Sequence, residues 1–111
     1  MVPRKRVRTI AGESTVSVTV SYPSLVEEAT RLSKELSLVG HNVLQCFSVG
    51  KVHTWTDVNL RFGGGSRVGI EAGCKSPEWL LKLVNGWMVE PCVGNYKAGL
   101  IGRSYSEWVF E

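Results

Sequence analysis

The chain has 111 residues, of which 43% are hydrophobic and 21% charged, as expected for one soluble globular domain. This apolar content excludes an intrinsically disordered chain, and three cysteines are too few for a disulfide-stabilised miniprotein. No apolar run reaches the ~18 to 20 residues of a membrane-spanning helix. The basic N-terminus leads into no apolar stretch, so we do not expect a secretory signal.

The positive charge is concentrated at the N-terminus. The formal net charge is +3, and four of the 13 basic residues lie in the first eight positions: Arg4, Lys5, Arg6 and Arg8. Residues 9–111 hold nine basic and ten acidic residues. Residues 1–14 show no hydrophobic periodicity. We therefore predict a basic flexible arm over 1–14 and a single α+β domain over 15–111.

The first two elements are a strand and a helix. Residues 15–21 alternate strictly, and Val16, Val18 and Val20 are expected to form the buried side. A capping box of Ser24 and Glu27 is then expected to start a helix that ends near Gly40.

Three strands are predicted next, over residues 42–49, 53–62 and 67–72. The last two should form a hairpin, because a three-residue loop centred on Gly65 pairs Phe62 with Val68 and Leu60 with Ile70. This loop requires a left-handed conformation that glycine supplies.

A second helix is predicted to start at Ser76-Pro77-Glu78 and to bury Trp79 and Trp87. One or two strands are expected over residues 100–110. The predicted order is β-α-β-β-β-α-β, an α+β domain in which two helices back one antiparallel sheet of about four to six strands.

The main functional hypothesis is sequence-independent binding of RNA or DNA. The clustered cations of the arm can neutralise backbone phosphates, and basic residues on the polar sheet face and at the hairpin tip would lie beside them. A localisation signal or a solubilising tail would give a similar pattern. The candidate nucleic-acid-binding residues are Arg4, Lys5, Arg6, Arg8, Arg61 and Arg67.

The alternative hypothesis is a protein-interaction module, such as a viral or regulatory accessory protein. It would form a homodimer or block a partner protein through an exposed strand edge and aromatic side chains. Trp55, between Thr54 and Thr56, is the aromatic residue that we expect to be exposed at such an interface.

The sequence does not favour an enzyme, a cofactor or a metal. No cysteine pair has zinc-binding spacing, and Gly63-Gly64-Gly65-Ser66-Arg67 lacks the Lys-Ser/Thr of a phosphate-binding loop and is expected to enter a strand. The odd cysteine count suggests free thiols in a reducing compartment, so we expect an intracellular protein without a membrane association.

Overall fold

A computed structural model describes residues 1–104 and 109–110 of the chain. The described elements are, in chain order, β1 (Arg4–Ile10), β2 (Glu13–Thr19), α1 (Pro23–Glu35), β3 (Val43–Val49), β4 (Val52–Asn59), α2 (Ser66–Glu71), α3 (Ser76–Val84) and β5 (Leu100–Gly102). The α+β class and the antiparallel pairing are confirmed. The described strands form two sheets, β1-β2-β5 and β3-β4, rather than the single sheet that we predicted.

Half of the segment predicted as an arm, residues 1–14, belongs to strand β1, and its last two residues begin β2. Arg4–Ile10 pairs with β2 along a register that joins Arg4 to Thr19 and Ile10 to Glu13. The turn between the strands uses Ala11 and Gly12, both with positive φ. Sequence periodicity missed β1 because a pair of register shifts interrupts the alternation after Arg6.

Strand β2 buries the face opposite to the one predicted. Thr15, Ser17 and Thr19 are buried, whereas Val16 and Val18 are only half-buried. The buried hydroxyls are hydrogen-bonded: Thr15 Oγ1 donates to the Arg8 carbonyl (3.2 Å), and Thr19 Oγ1 accepts from the Gly99 N–H (2.7 Å). Hydroxyls with such partners can be buried at little cost, so alternation alone did not identify the inner face.

Helix α1 agrees with the prediction at its start but ends earlier, at Glu35. The capping box of Ser24 and Glu27 does not form, because Tyr22 is the N-cap residue without a side-chain cap hydrogen bond. The Ser24 hydroxyl instead lies 3.3 Å from His53 Nε2. Gly40, with φ of +79°, lies in the connection to β3.

The predicted hairpin around Gly65 is wrong. Strand β4 ends at Asn59, and residues 66–71 form α2, so Phe62 and Leu60 do not pair with Val68 and Ile70. The apolar residues of this segment also fit a helix, because Val68 and Ala72, four residues apart, are both buried. Gly65 has φ of −90°, so it does not adopt the left-handed conformation required by the predicted loop.

Helix α3 begins at Ser76 as predicted, but much of the expected core is exposed. Trp87 is 64% exposed, and apart from Pro3 the only buried apolar residues among those described are Ala29, Val68 and Ala72. Of the predicted C-terminal strand, β5 covers Leu100–Gly102. The rest of that prediction includes residues 105–108, among them Trp108, which lie outside the described residues.

Candidate nucleic-acid interface

Four arginines from distant parts of the chain surround the glycine-rich segment Gly63–Gly65. Arg4 and Arg6 come from β1, Arg61 follows β4, and Arg103 follows β5. They line a cavity of about 120 Å³, which we call the arginine pocket. Its remaining lining includes polar side chains that can accept or donate hydrogen bonds: Ser14, Gln45 and Asn59.

The register of β1 determines which basic residues face the pocket. Arg4 pairs with Thr19 and Arg6 with Ser17, so both arginines lie on the face of the sheet where β2 buries its hydroxyl side chains. Lys5 pairs with Val18 on the opposite face. The β-bulge at Val7 then inverts the alternation, and Arg8 pairs with Val16 on the face of Lys5. The predicted basic cluster is therefore divided between two faces of one sheet.

Two of the arginines fix the glycine-rich segment. The Arg4 guanidinium donates to the Gly65 carbonyl, and the Arg103 guanidinium donates to the Gly64 carbonyl. Arg103 Nη1 also lies 2.8 Å from Glu13 Oε2 in an ion pair. A Cβ atom on Gly65 would lie 2.7 Å from Arg4 Nη2, so glycine is required for this close approach.

A histidine supports the segment from the other side. Ser66 Oγ accepts from the Gly63 N–H at 2.8 Å and lies 2.8 Å from His41 Nε2. His41 Nδ1 lies 2.8 Å from Ser76 Oγ, so one imidazole joins the first residues of α2 and α3. The ring of Phe62 stacks on the imidazole, with centroids 4.0 Å apart and planes at 14°.

The pocket lining contains four arginines and one carboxylate, Glu13. Burial, and then the nearby Arg6 cation, lower the pKa of Arg4 below its usual value. Burial and then Arg4 lower the pKa of His41 from 6.5. Among the described residues, Glu13 is the single carboxylate in an ion pair with a pocket arginine. An anion entering the pocket would relieve this repulsion.

The structure brings Arg4, Arg6 and Arg61 of the predicted site together and leaves the others apart. Lys5 and Arg8 face away, and Arg67 lies on α2, where it pairs with Glu71 at 3.3 Å and is 84% exposed in its side chain. Sequence reasoning missed Arg103. It is an isolated basic residue after a short strand, so only the tertiary structure reveals its place in the pocket.

Trp55 does not have the exposure predicted for an interface residue. It is half-buried, and its indole N–H donates to Glu28 Oε1 of α1 at 3.1 Å. This contact holds the β3-β4 hairpin against α1. An interface role for Trp55 stays a prediction.

A larger and more open groove lies along α1, with a volume of about 640 Å³. Its lining includes the side chains of Tyr22, Val26 and Tyr96. Both tyrosine hydroxyls are engaged by backbone, Tyr22 with the Gly50 carbonyl and Tyr96 with the Val20 carbonyl at 2.7 Å. These two hydrogen bonds hold the tyrosine side chains in place along the groove.

The described residues contain no group of three or more His, Cys, Asp or Glu side chains placed to hold a metal. The three cysteines are free. Within the same residues, no helix has both the length and the apolar character to cross a bilayer.

Gly63–Gly65 does precede a helix, contrary to the sequence-based expectation, but the Lys-Ser/Thr of a phosphate-binding loop is still missing. Comparison with protein-family models and with curated proteins finds no match to this chain.

Proposed function

We propose that this protein is a non-enzymatic binding protein that contacts the phosphates of RNA or DNA through the arginine pocket. The observation that carries this proposal is the convergence of Arg4, Arg6, Arg61 and Arg103, of which only Arg103 has a carboxylate partner among the described residues. Guanidinium groups bind phosphate oxygens through paired hydrogen bonds, which makes a set of arginines well suited to this ligand.

The pocket also explains how a body without net positive charge could bind a polyanion. Residues 9–111 carry nine basic and ten acidic residues, yet the fold gathers Arg61 and Arg103 from this body next to two arginines of β1. Gln45 and Asn59 line the same cavity, and both side-chain amides already donate to Asp57 Oδ2. The second N–H of each amide can donate to a phosphate or sugar oxygen. Such contacts position a nucleic acid without reading its sequence.

The test is a salt titration of fluorescently labelled single-stranded and duplex RNA and DNA. The variant Arg6→Gln/Arg61→Gln should weaken binding and reduce the logarithmic salt slope by about 1.4 to 1.8, since each lost phosphate contact is worth about 0.7 to 0.9. The matched control, Lys5→Gln/Arg67→Gln, removes the same charge outside the pocket and should change the slope by less. Equal effects of the two variants would show that binding depends on net charge alone.

A second function, association with a protein, is favoured by a different observation. Many large apolar side chains are exposed, including Phe47 at 74%, Val49 at 80% and Val52 at 69%. As a protein-interaction module, the chain would dimerise or block a partner through such surface. For either function we propose an intracellular protein, because its three cysteines are free.

A further inference from the structure

We infer that two copies of this chain associate through the free edge of β3, so that their β3-β4 hairpins join into one four-stranded antiparallel sheet. This inference rests on the second proposed function and names its partner as a second copy. Strand β3 pairs with β4 alone in the described part of the chain, and no backbone hydrogen bond extends from its other edge to another described segment.

The edges of the other sheet are protected, whereas that of β3 is not. Strand β1 carries four cations and a pair of register shifts, and β5 has only three residues. Charges, irregularities and short length are the usual means of preventing strand addition. Strand β3, Val-Leu-Gln-Cys-Phe-Ser-Val, has seven residues with no charge and no proline. It is therefore open to pairing.

The edge of β4 is less suitable than that of β3. Its pairing with β3 jumps from Asp57 opposite Gln45 to Trp55 opposite Cys46, which leaves Thr56 as an extra residue. This bulge bends the strand, and Asp57 adds a charge. In β3 itself the chain is continuous, so its outward N–H and C=O groups can form a regular ladder.

The accessible surface of the chain is large enough to supply an interface of standard size. The accessible surface is 8338 Å². A folded monomer of this mass is expected to have about 6,100 Å². The excess of about 2,200 Å² exceeds the ~800 Å² that each partner contributes to a standard interface. A two-stranded hairpin is also marginal by itself, and a second hairpin would complete a sheet of adequate size.

The strand pattern defines the register. In an antiparallel pair of β3 strands, residues that lie opposite each other must have their side chains on the same face of the sheet. A two-fold axis through a residue meets this condition. An axis between two residues does not, because it would place Phe47 opposite Cys46, whose side chains lie on different faces. An axis through Cys46 pairs all seven residues of β3, with Val43 opposite Val49 and Gln45 opposite Phe47 of the second copy. The two Cys46 side chains then face each other, with Cβ atoms about 4.5 to 5.5 Å apart.

Light scattering after size exclusion tests the association with a matched pair of variants. Val49→Lys and Val84→Lys introduce the same charge at valines that are 80% and 77% exposed, the first in β3 and the second at the end of α3. We expect a dimer for the parent and for Val84→Lys, and a monomer for Val49→Lys with unchanged circular dichroism. A monomeric parent at high micromolar concentration, or an equal effect of both variants, would overturn the inference.

Cross-linking tests the register without depending on the folding of Val49→Lys. In a Cys74→Ser/Cys92→Ser chain, mild oxidation should convert most of the protein to a disulfide-linked dimer through Cys46. The matched chain that retains Cys74 alone, with Cys46→Ser and Cys92→Ser, should remain uncross-linked. Dimers without Cys46 cross-linking would contradict the β3 register. Nucleic-acid binding by a monomer would leave the arginine pocket supported and reject only this interface.

Discussion

The Arg4 guanidinium donates a hydrogen bond to the carbonyl of Gly65, which lies sixty-one positions further along the chain. This contact joins the basic strand β1 to the glycine-rich segment before α2, and both residues line the arginine pocket. It also gives Gly65 a role different from that of a hairpin turn. A larger residue at position 65 would require the Arg4 guanidinium to move.

Gly65→Ala should therefore change binding more than stability. The new Cβ would lie 2.7 Å from Arg4 Nη2, and the flexible arginine side chain can move away. We expect the free energy of unfolding to fall by about 1 kcal/mol, the worth of one hydrogen bond, and nucleic-acid affinity to fall as well. Gly63→Ala places its Cβ 3.6 Å from Val43, an ordinary contact that displaces no arginine, and should lower affinity less than Gly65→Ala. Thermal unfolding and fluorescence anisotropy measure the two effects.

Stability should decrease in mild acid because of His41. Burial and Arg4 lower its folded-state pKa below the unfolded value of 6.5. Between the folded-state pKa and pH 6.5, the unfolded chain binds more protons at His41 than the folded chain does. The stabilisation that neutral His41 gives to the folded state is therefore complete above pH 6.5 and is lost as the pH falls towards the folded-state pKa. Urea midpoints between pH 5 and pH 8 should show the decline. His41→Gln should remove this part of the pH dependence, and an identical profile for that variant would exclude His41 as its source.

Ser76→Ala should lower the free energy of unfolding by about 1 kcal/mol. Its position directly before Pro77 predicts that Ser76 caps the helix, so the sequence would attribute this cost to a lost cap. The structure shows no side-chain cap at α3 and places Ser76 Oγ 2.8 Å from His41 Nδ1. The cause is an unpaired imidazole nitrogen. If so, the effect should largely disappear in a His41→Phe background, which a double-mutant cycle from chemical denaturation can measure. Full additivity would favour a cap.

Deletion of residues 1–8 should unfold much of the protein. The sequence alone predicts a flexible arm, but the structure pairs Arg4–Arg8 with β2. Within the described residues, the other neighbour of β2 is the three-residue β5. We expect loss of the cooperative unfolding transition in calorimetry. Lys5→Gln/Arg8→Gln, which removes charge but keeps the strand, should unfold like the parent. A truncated chain with the parent's transition would show that β1 contributes little.

The sequence by itself determined the elements that local chemistry defines. The start of α3 at Ser76-Pro77 follows from proline at the first helical positions, and the α1 segment follows from an apolar stripe at helical spacing. The α+β class and a strand over β3 could also be read from alternation. These features depend on residues within a few positions of one another, so the sequence carries their signal directly.

The tertiary structure decided what depends on distant partners. Val68, Ile70 and Ala72 fit a strand or a short helix equally well, and burial of Val68 with Ala72 selects the helix. The buried hydroxyls of β2 have partners on other segments, since Thr19 Oγ1 accepts from the Gly99 N–H and Thr15 Oγ1 donates to the Arg8 carbonyl. The arginine pocket needs Arg103 to approach Gly64, thirty-nine positions away. Such contacts have no local pattern, because their energies arise only when remote segments meet.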